Sequence, residues 1–176
     1  MWYALCVKTG EEETVMNLLH KYLSANLLKC IVPKKMIPER KQGIFRDSMK
    51  LLFPGYIFVN THITPEIYYT LRAVPNIHYM VCSGDHKKDQ SFDCFSSIAN
   101  EEMEWMLNLL NDQECITYSD IMKVNAKVRV ISGPLKGQEA MIRRVDLRKR
   151  RVKLEIDFMG EPRCIDLGVN ILAVIN

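Results

Sequence analysis

The chain lacks any apolar run approaching the ~20 residues of a membrane span, so no transmembrane helix is expected. It has no Cys-x-x-Cys pair. Six cysteines (Cys6, Cys30, Cys82, Cys94, Cys115 and Cys164) are scattered, and no histidine lies near them at zinc spacing. Several sit in apolar runs, where cysteine acts as a small hydrophobe, so neither a disulfide framework nor a metal site is expected. The first strand-like residues, Trp2-Tyr3-Ala4-Leu5-Cys6-Val7, follow no basic leader, which predicts no signal peptide and a cytoplasmic location. The four histidines (His20, His62, His78 and His86) have no spacing suited to metal or catalysis. Cys82 between His78 and His86 is the best enzyme-like cluster, a thiol nucleophile with a base, but it has no orienting acid at a diagnostic spacing. The chain therefore reads as a non-enzyme without cofactors, with a thiol enzyme centred on Cys82 as the alternative of another class.

What remains is an ordinary globular composition, 48% hydrophobic and 26% charged over 176 residues, enough for one or two compact domains. Charge is unevenly divided. Residues 120–176 carry 12 Lys+Arg against 7 Asp+Glu, a net of +5; residues 1–119 carry 12 against 14, a net of −2. The positive half contains Val128-Arg129-Val130-Ile131-Ser132-Gly133-Pro134-Leu135-Lys136-Gly137, a strand, a tight turn and a second strand. After it come Arg143, Arg144, Arg148, Lys149, Arg150 and Arg151, six cations in nine positions. Such a cluster on a small β-domain points to phosphate and hence to nucleic acid; the plain alternative is a solvated hairpin tip.

Periodicity gives the organisation. Residues 2–7 are a strand; Glu11-Glu12-Glu13 open a helix with Val15, Leu18, Leu19, Tyr22 and Leu23 on one face. Ile31 begins an extended segment, and residues 34–50 form a polar, basic hairpin with its tip at Gly43. Leu51-Leu52-Phe53-Pro54-Gly55-Tyr56-Ile57-Phe58-Val59 is a strand bent at Pro54-Gly55. Thr64-Pro65-Glu66 starts a helix that ends before Val74-Pro75, and 77–81 returns to strand. Residues 82–95 are loop-like. Asn100-Glu101-Glu102 opens a last helix carrying Met103, Met106, Leu107 and Leu110, and a linker is expected within 112–123. Val152, Leu154, Ile156 and Phe158 alternate with Arg151, Lys153, Glu155 and Asp157, the mark of a half-buried strand. Gly160-Glu161-Pro162 is a turn, and 165–172 supplies one or two closing strands. About five short strands imply a small barrel.

Trp2-Tyr3 opening a strand, Phe53-Pro54-Gly55-Tyr56, Leu71-Arg72-Ala73-Val74-Pro75 and Val128-Arg129-Val130…Gly133-Pro134…Gly137 together resemble the NusG family of transcription elongation factors, in order and along almost the whole chain. The resemblance implies an α+β fold: an NGN domain (1–112), an antiparallel sheet flanked by helices; a linker (113–122); and a KOW domain (123–176), an all-β SH3-like barrel. It implies that the NGN domain binds the clamp helices of RNA polymerase and that the KOW domain recruits ribosomal protein, termination factor or RNA. Two departures bear on the second partner. Leu135 stands where housekeeping members carry an aromatic that docks proteins, and arginine is dense between Arg143 and Arg151. Both make the chain most similar to the specialised LoaP antiterminators, which implies a nascent RNA hairpin as ligand. The housekeeping reading is the alternative.

The resemblance implies polymerase contacts among Trp2, Tyr3, Phe53, Tyr56, Phe58, Tyr68 and Tyr69, with Phe53 and Tyr56 foremost and Trp2 and Phe58 read as core. It implies contact with the non-template DNA strand by Lys8, Arg40, Lys41 and Arg72, alongside the nearby cations Lys34, Lys35 and Arg46. RNA contact falls to Lys136, Arg143, Arg144, Arg148, Lys149, Arg150 and Arg151, arginine being favoured because its planar fork bonds phosphate bidentately and stacks on bases. Arg143 and Arg144 are neighbours on a strand, so only one can share a face with Arg151 and the set should divide. No membrane partner and a monomer are expected.

Overall fold

The computed structural model describes residues 1–81, 96–125 and 127–175. In chain order these form β1 (Trp2–Val7), α1 (Glu12–Tyr22), β2 (Lys29–Ile31), β3 (Lys34–Lys41), β4 (Ile44–Leu51), β5 (Tyr56–Asn60), α2 (Pro65–Ala73), β6 (Ile77–Met80) and α3 (Asn100–Leu109). Then follow β7 (Cys115–Ile116), β8 (Ser119–Val124), β9 (Lys127–Ser132), a 3-10 turn (Glu139–Met141), β10 (Ile142–Asp146), β11 (Arg151–Phe158) and β12 (Glu161–Ile175). This is the expected α+β class. The chain splits into two compact units: Met1–Val32 with Phe53–Glu104, and Pro33–Leu52 with Trp105–Asn176. No described helix is long and apolar enough to cross a membrane.

The first unit is built on a four-stranded antiparallel sheet, β2-β5-β1-β6. Val15 and Leu19 of α1 are buried one helical turn apart. Of the two last residues expected on the same face, Leu23, where the backbone turns extended, is buried, whereas Tyr22 is 59% exposed. Thr64 caps α2, its Oγ1 accepting from the Ile67 N–H at 3.3 Å, and Pro65 occupies the first turn, where its missing N–H costs nothing. Met103 of α3 is buried, as are Met106 and Leu109, while Leu107 and Leu110 are half-buried. The loop expected at 82–95 lies outside the described residues, and Cys82, His86 and Cys94 with it.

The second unit holds a five-stranded sheet, β10-β11-β12-β8-β9, antiparallel except for the β12–β8 pair. Along β11 the expected alternation is met: Val152, Leu154, Ile156 and Phe158 are buried and Lys153, Glu155 and Asp157 exposed. The ladder order ends at β9 on one side and β10 on the other, with the 3-10 turn between them in sequence. Two details differ from expectation. The turn after β11 is the pair Met159-Gly160, at φ +57° and +74°, so Glu161 and Pro162 already open β12. And β12 is one strand of 15 residues, not one or two short closers.

The stretch expected as a linker, 113–122, instead carries β7 and the start of β8. β7 is only two residues long, too short to leave a period, and it completes a separate sheet, β4-β3-β7. The hairpin β3–β4 thereby belongs to the second compact unit although it lies in the first third of the chain. Its tip, Gln42-Gly43, has φ +51° and +83°, the two positive values of a two-residue hairpin turn, with Gly43 where the sequence placed it.

Candidate nucleic-acid interface

Within the second unit, β3–β4 is fastened to the rest of the unit at three points, on β11, on β12 and just before β8. Arg151 Nη2 donates to the Pro38 carbonyl at 2.8 Å. Tyr118 Oη donates to Asp47 Oδ1 at 2.7 Å, and burial together with that carboxylate pushes the phenol above its ordinary range. Gly168 on β12 lets the backbones close: an added Cβ there would stand 2.6 Å from the Met36 carbonyl oxygen and overlap the Tyr118 ring. Beside these contacts Lys35 is half-buried, and desolvation lowers its ammonium pKa, with Asp166 opposing and Arg151 adding to the fall.

The β10–β11 turn lies beside the hairpin. Asp146 Oδ1 accepts from the Lys149 N–H at 2.9 Å, which shapes the turn, and Arg150 takes φ +53° at its end. The Arg150 guanidinium stands 4.4 Å from the centre of the Phe45 ring, on β4; that of Arg40, on β3, stands 5.8 Å from the same ring. Between turn and hairpin is a groove of about 640 Å³ lined by Pro38, Glu39, Arg40, Lys41, Phe45, Arg148, Lys149 and Arg151. Its one lining carboxylate, Glu39, faces Lys50 Nζ at 3.3 Å, and that hydrogen bond holds its pKa below the usual range. Five cationic side chains against one committed acid make the groove a positive trough.

The residues of the expected RNA set lie in different surroundings, though not by the expected split of Arg143 from Arg144, which are both exposed beside a register shift in β10. Arg148, Lys149 and Arg150 are exposed on the turn; Arg151 is half-buried and anchors the hairpin. Arg143 is exposed but donates through Nε to Glu155 Oε2 at 2.9 Å. Arg144 is exposed opposite Lys153, and Lys136 is exposed on the turn after β9. Of the expected DNA set, Arg40 and Lys41 line the groove, whereas Lys8 and Arg72 belong to the first unit. Lys34 is half-buried, and Arg46 is exposed. Leu135 is 1% exposed, and its amide donates to Ser119 Oγ at 3.0 Å.

The aromatic set is mostly interior. Trp2, Tyr3, Phe53, Phe58 and Tyr68 are buried, Tyr56 is half-buried, and Tyr69 is 65% exposed. Phe53 and Phe58 meet edge to face at 5.6 Å, so Phe53, expected foremost at a surface pocket, sits in the core with Phe58. Tyr68 accepts from Arg72 Nη1 at 3.3 Å. The bend between them is held by Glu12, a buried carboxylate accepting from the Gly55 N–H at 2.7 Å and the Gly10 N–H at 2.8 Å. Tyr56 of β5, Cys6 of β1 and Tyr79 of β6 lie opposite one another across three strands. Hydrogen bonding with the Cys6 thiol, then burial, pushes the Tyr79 phenol up to about 12.

Sequence reasoning passed over Phe45, Tyr79 and Glu12. Phe45 had a usable signal, being the lone aromatic of a basic hairpin. Tyr79 and Glu12 had none, since each draws its role from a strand or turn distant in sequence.

Residues 1–106 match the family described as transcription termination factor NusG, and residues 124–157 match the KOW motif. The chain is 24% identical over 172 residues to the transcription termination/antitermination protein NusG of Pasteurella multocida, covering 94% of this chain and 90% of that protein. It is 23% identical over 171 residues to the same-named protein of Staphylococcus aureus, at 94% and 91% coverage. Among solved structures, NusG of Thermotoga maritima superposes with a TM-score of 0.55 at 24% identity, over 95% of this chain and 92% of that one.

Proposed function

Because the chain belongs to the NusG family of transcription factors, which are not enzymes, we propose that it is a specialised antiterminator that holds RNA polymerase through one module and nascent RNA through the other. The modules are residues 1–112 and 123–176, with the β3–β4 hairpin serving the second, in the cytoplasm as a monomer. The polymerase clamp helices meet Tyr56, Tyr79 and Tyr69, whose rings reach solvent; Trp2, Tyr3, Phe53, Phe58 and Tyr68 support that surface from within. Lys8 and Arg72, both exposed, serve the non-template DNA strand.

One observation carries the choice of RNA over protein for the C-terminal module: Arg148, Lys149 and Arg150 stand exposed on a shaped turn beside a groove with a single carboxylate. The buried state of Leu135 supports the same choice, since an aliphatic side chain in the core offers a protein partner nothing to grip. Lys136, Arg143 and Arg144 extend the basic surface. A weak RNA contact becomes effective because polymerase tethers factor and transcript together.

Single-round transcription with purified RNA polymerase, on a template with a structured leader before a terminator, tests this reading. The chain should raise read-through only when the leader is present. Tyr56→Ala with Tyr79→Ala should abolish the effect, and so should Arg148→Ala with Lys149→Ala and Arg150→Ala. Read-through indifferent to the leader, with retention of a ribosomal protein or termination factor on the full chain, would favour the housekeeping alternative.

A further inference from the structure

We propose that Phe45, with the Arg150 guanidinium stacked on it, is a seat for one unpaired nucleobase of RNA, and that the β3–β4 hairpin and the β10–β11 turn grip the phosphates on either side. The inference rests on the RNA reading above and deepens it: the ligand must offer a base free of its stack, as a loop or bulge does.

Phe45 is half-buried at the groove and drawn to two guanidiniums, Arg150 at 4.4 Å and Arg40 at 5.8 Å. An aromatic ring and an arginine plane are the two surfaces on which proteins stack extruded bases, and here they lie together. The groove volume, about 640 Å³, falls within the range of sites that take a small ligand, which suits a single base. Its walls come from Arg40 and Lys41 on one side and Arg148 and Lys149 on the other, so phosphates flanking a seated base meet cations in both directions. The Arg151–Pro38 bond joins the two walls, and the Tyr118–Asp47 bond holds the hairpin to the rest of its unit, before any ligand arrives, which reduces the ordering cost of binding. Arg40 and Lys41 thereby pass from the displaced DNA strand to the transcript.

The test is fluorescence anisotropy with the full chain and three probes: an RNA stem-loop with an adenosine-rich loop, the same stem as a blunt RNA duplex, and the DNA stem-loop of the same sequence. Phe45→Ala should weaken stem-loop binding by roughly tenfold, leave the duplex unchanged and keep the salt dependence. Phe45→Leu keeps the apolar bulk without the π face and should lose as much, which separates stacking from hairpin folding; Phe45→Trp should retain affinity. Arg148→Ala with Lys149→Ala should weaken both RNA probes and flatten the salt dependence. If that pair weakens binding while Phe45→Ala and Phe45→Leu do not, the base seat is wrong and the RNA reading stands. If neither set matters, both fall. DNA bound as tightly as RNA would overturn the assignment to the transcript.

Discussion

Glu12 is a carboxyl side chain at 2% exposure, and two backbone amides turn towards it. It ties the glycine turn after β1 to the Pro54-Gly55 bend, and so sets where Tyr56 leaves the core. Glu12→Ala leaves the buried Gly55 N–H and the partly exposed Gly10 N–H without their acceptor and should cost about 2 kcal/mol in urea unfolding, with Glu12→Gln costing less because one acceptor oxygen remains. Equal stability of Glu12→Ala and the parent would refute this role. Tyr79 gives a second test by pH. Its phenol, raised to about 12, holds its proton more tightly folded than unfolded, so its contribution to stability is full below about pH 10 and fades as pH rises towards 12. Ultraviolet titration should show a late-ionising tyrosine that Tyr79→Phe removes; an unchanged curve would contradict the Cys6 contact.

Elements show what was and was not legible in the sequence. Strand β11 could be read because one face is buried along its whole length, which writes a period of two into the residues. The caps of α2 and the tip at Gln42-Gly43 could be read because Thr, Pro and Gly are placed there for local backbone reasons. The attachment of β3–β4 to the other strands of its unit could not, because it depends on Arg151, Tyr118 and Gly168, each far from the hairpin in sequence and none part of a pattern. Likewise the RNA and DNA sets were expected apart, and the fold brings Arg40 and Lys41 into one groove with Arg148 and Lys149. The attachment has its own consequence. Arg151→Ala removes a charge-assisted bond to the Pro38 carbonyl and should cost roughly 1.5–3 kcal/mol. Hydrogen exchange should quicken along β3 and β4 while β11 and β12 keep their protection; uniform protection in the variant would show that Arg151 does not fasten the hairpin.

At the scale of the whole chain, opposite charge excesses in the two parts of the sequence suit two ligands of different character. On the function proposed above, the acidic N-terminal part keeps its half-exposed tyrosines for a protein surface, and the basic C-terminal part, joined by a basic hairpin, is the one that takes a polyanion. Affinity for RNA must then come largely from released counterions, and it must be lost in proportion to the cations removed. The most direct test is the affinity of the full chain for a structured leader RNA across a salt series, compared with Arg148→Ala/Lys149→Ala/Arg150→Ala. The account predicts a steep logarithmic salt slope that becomes about two to three units shallower in the variant. A slope identical in both proteins would contradict it.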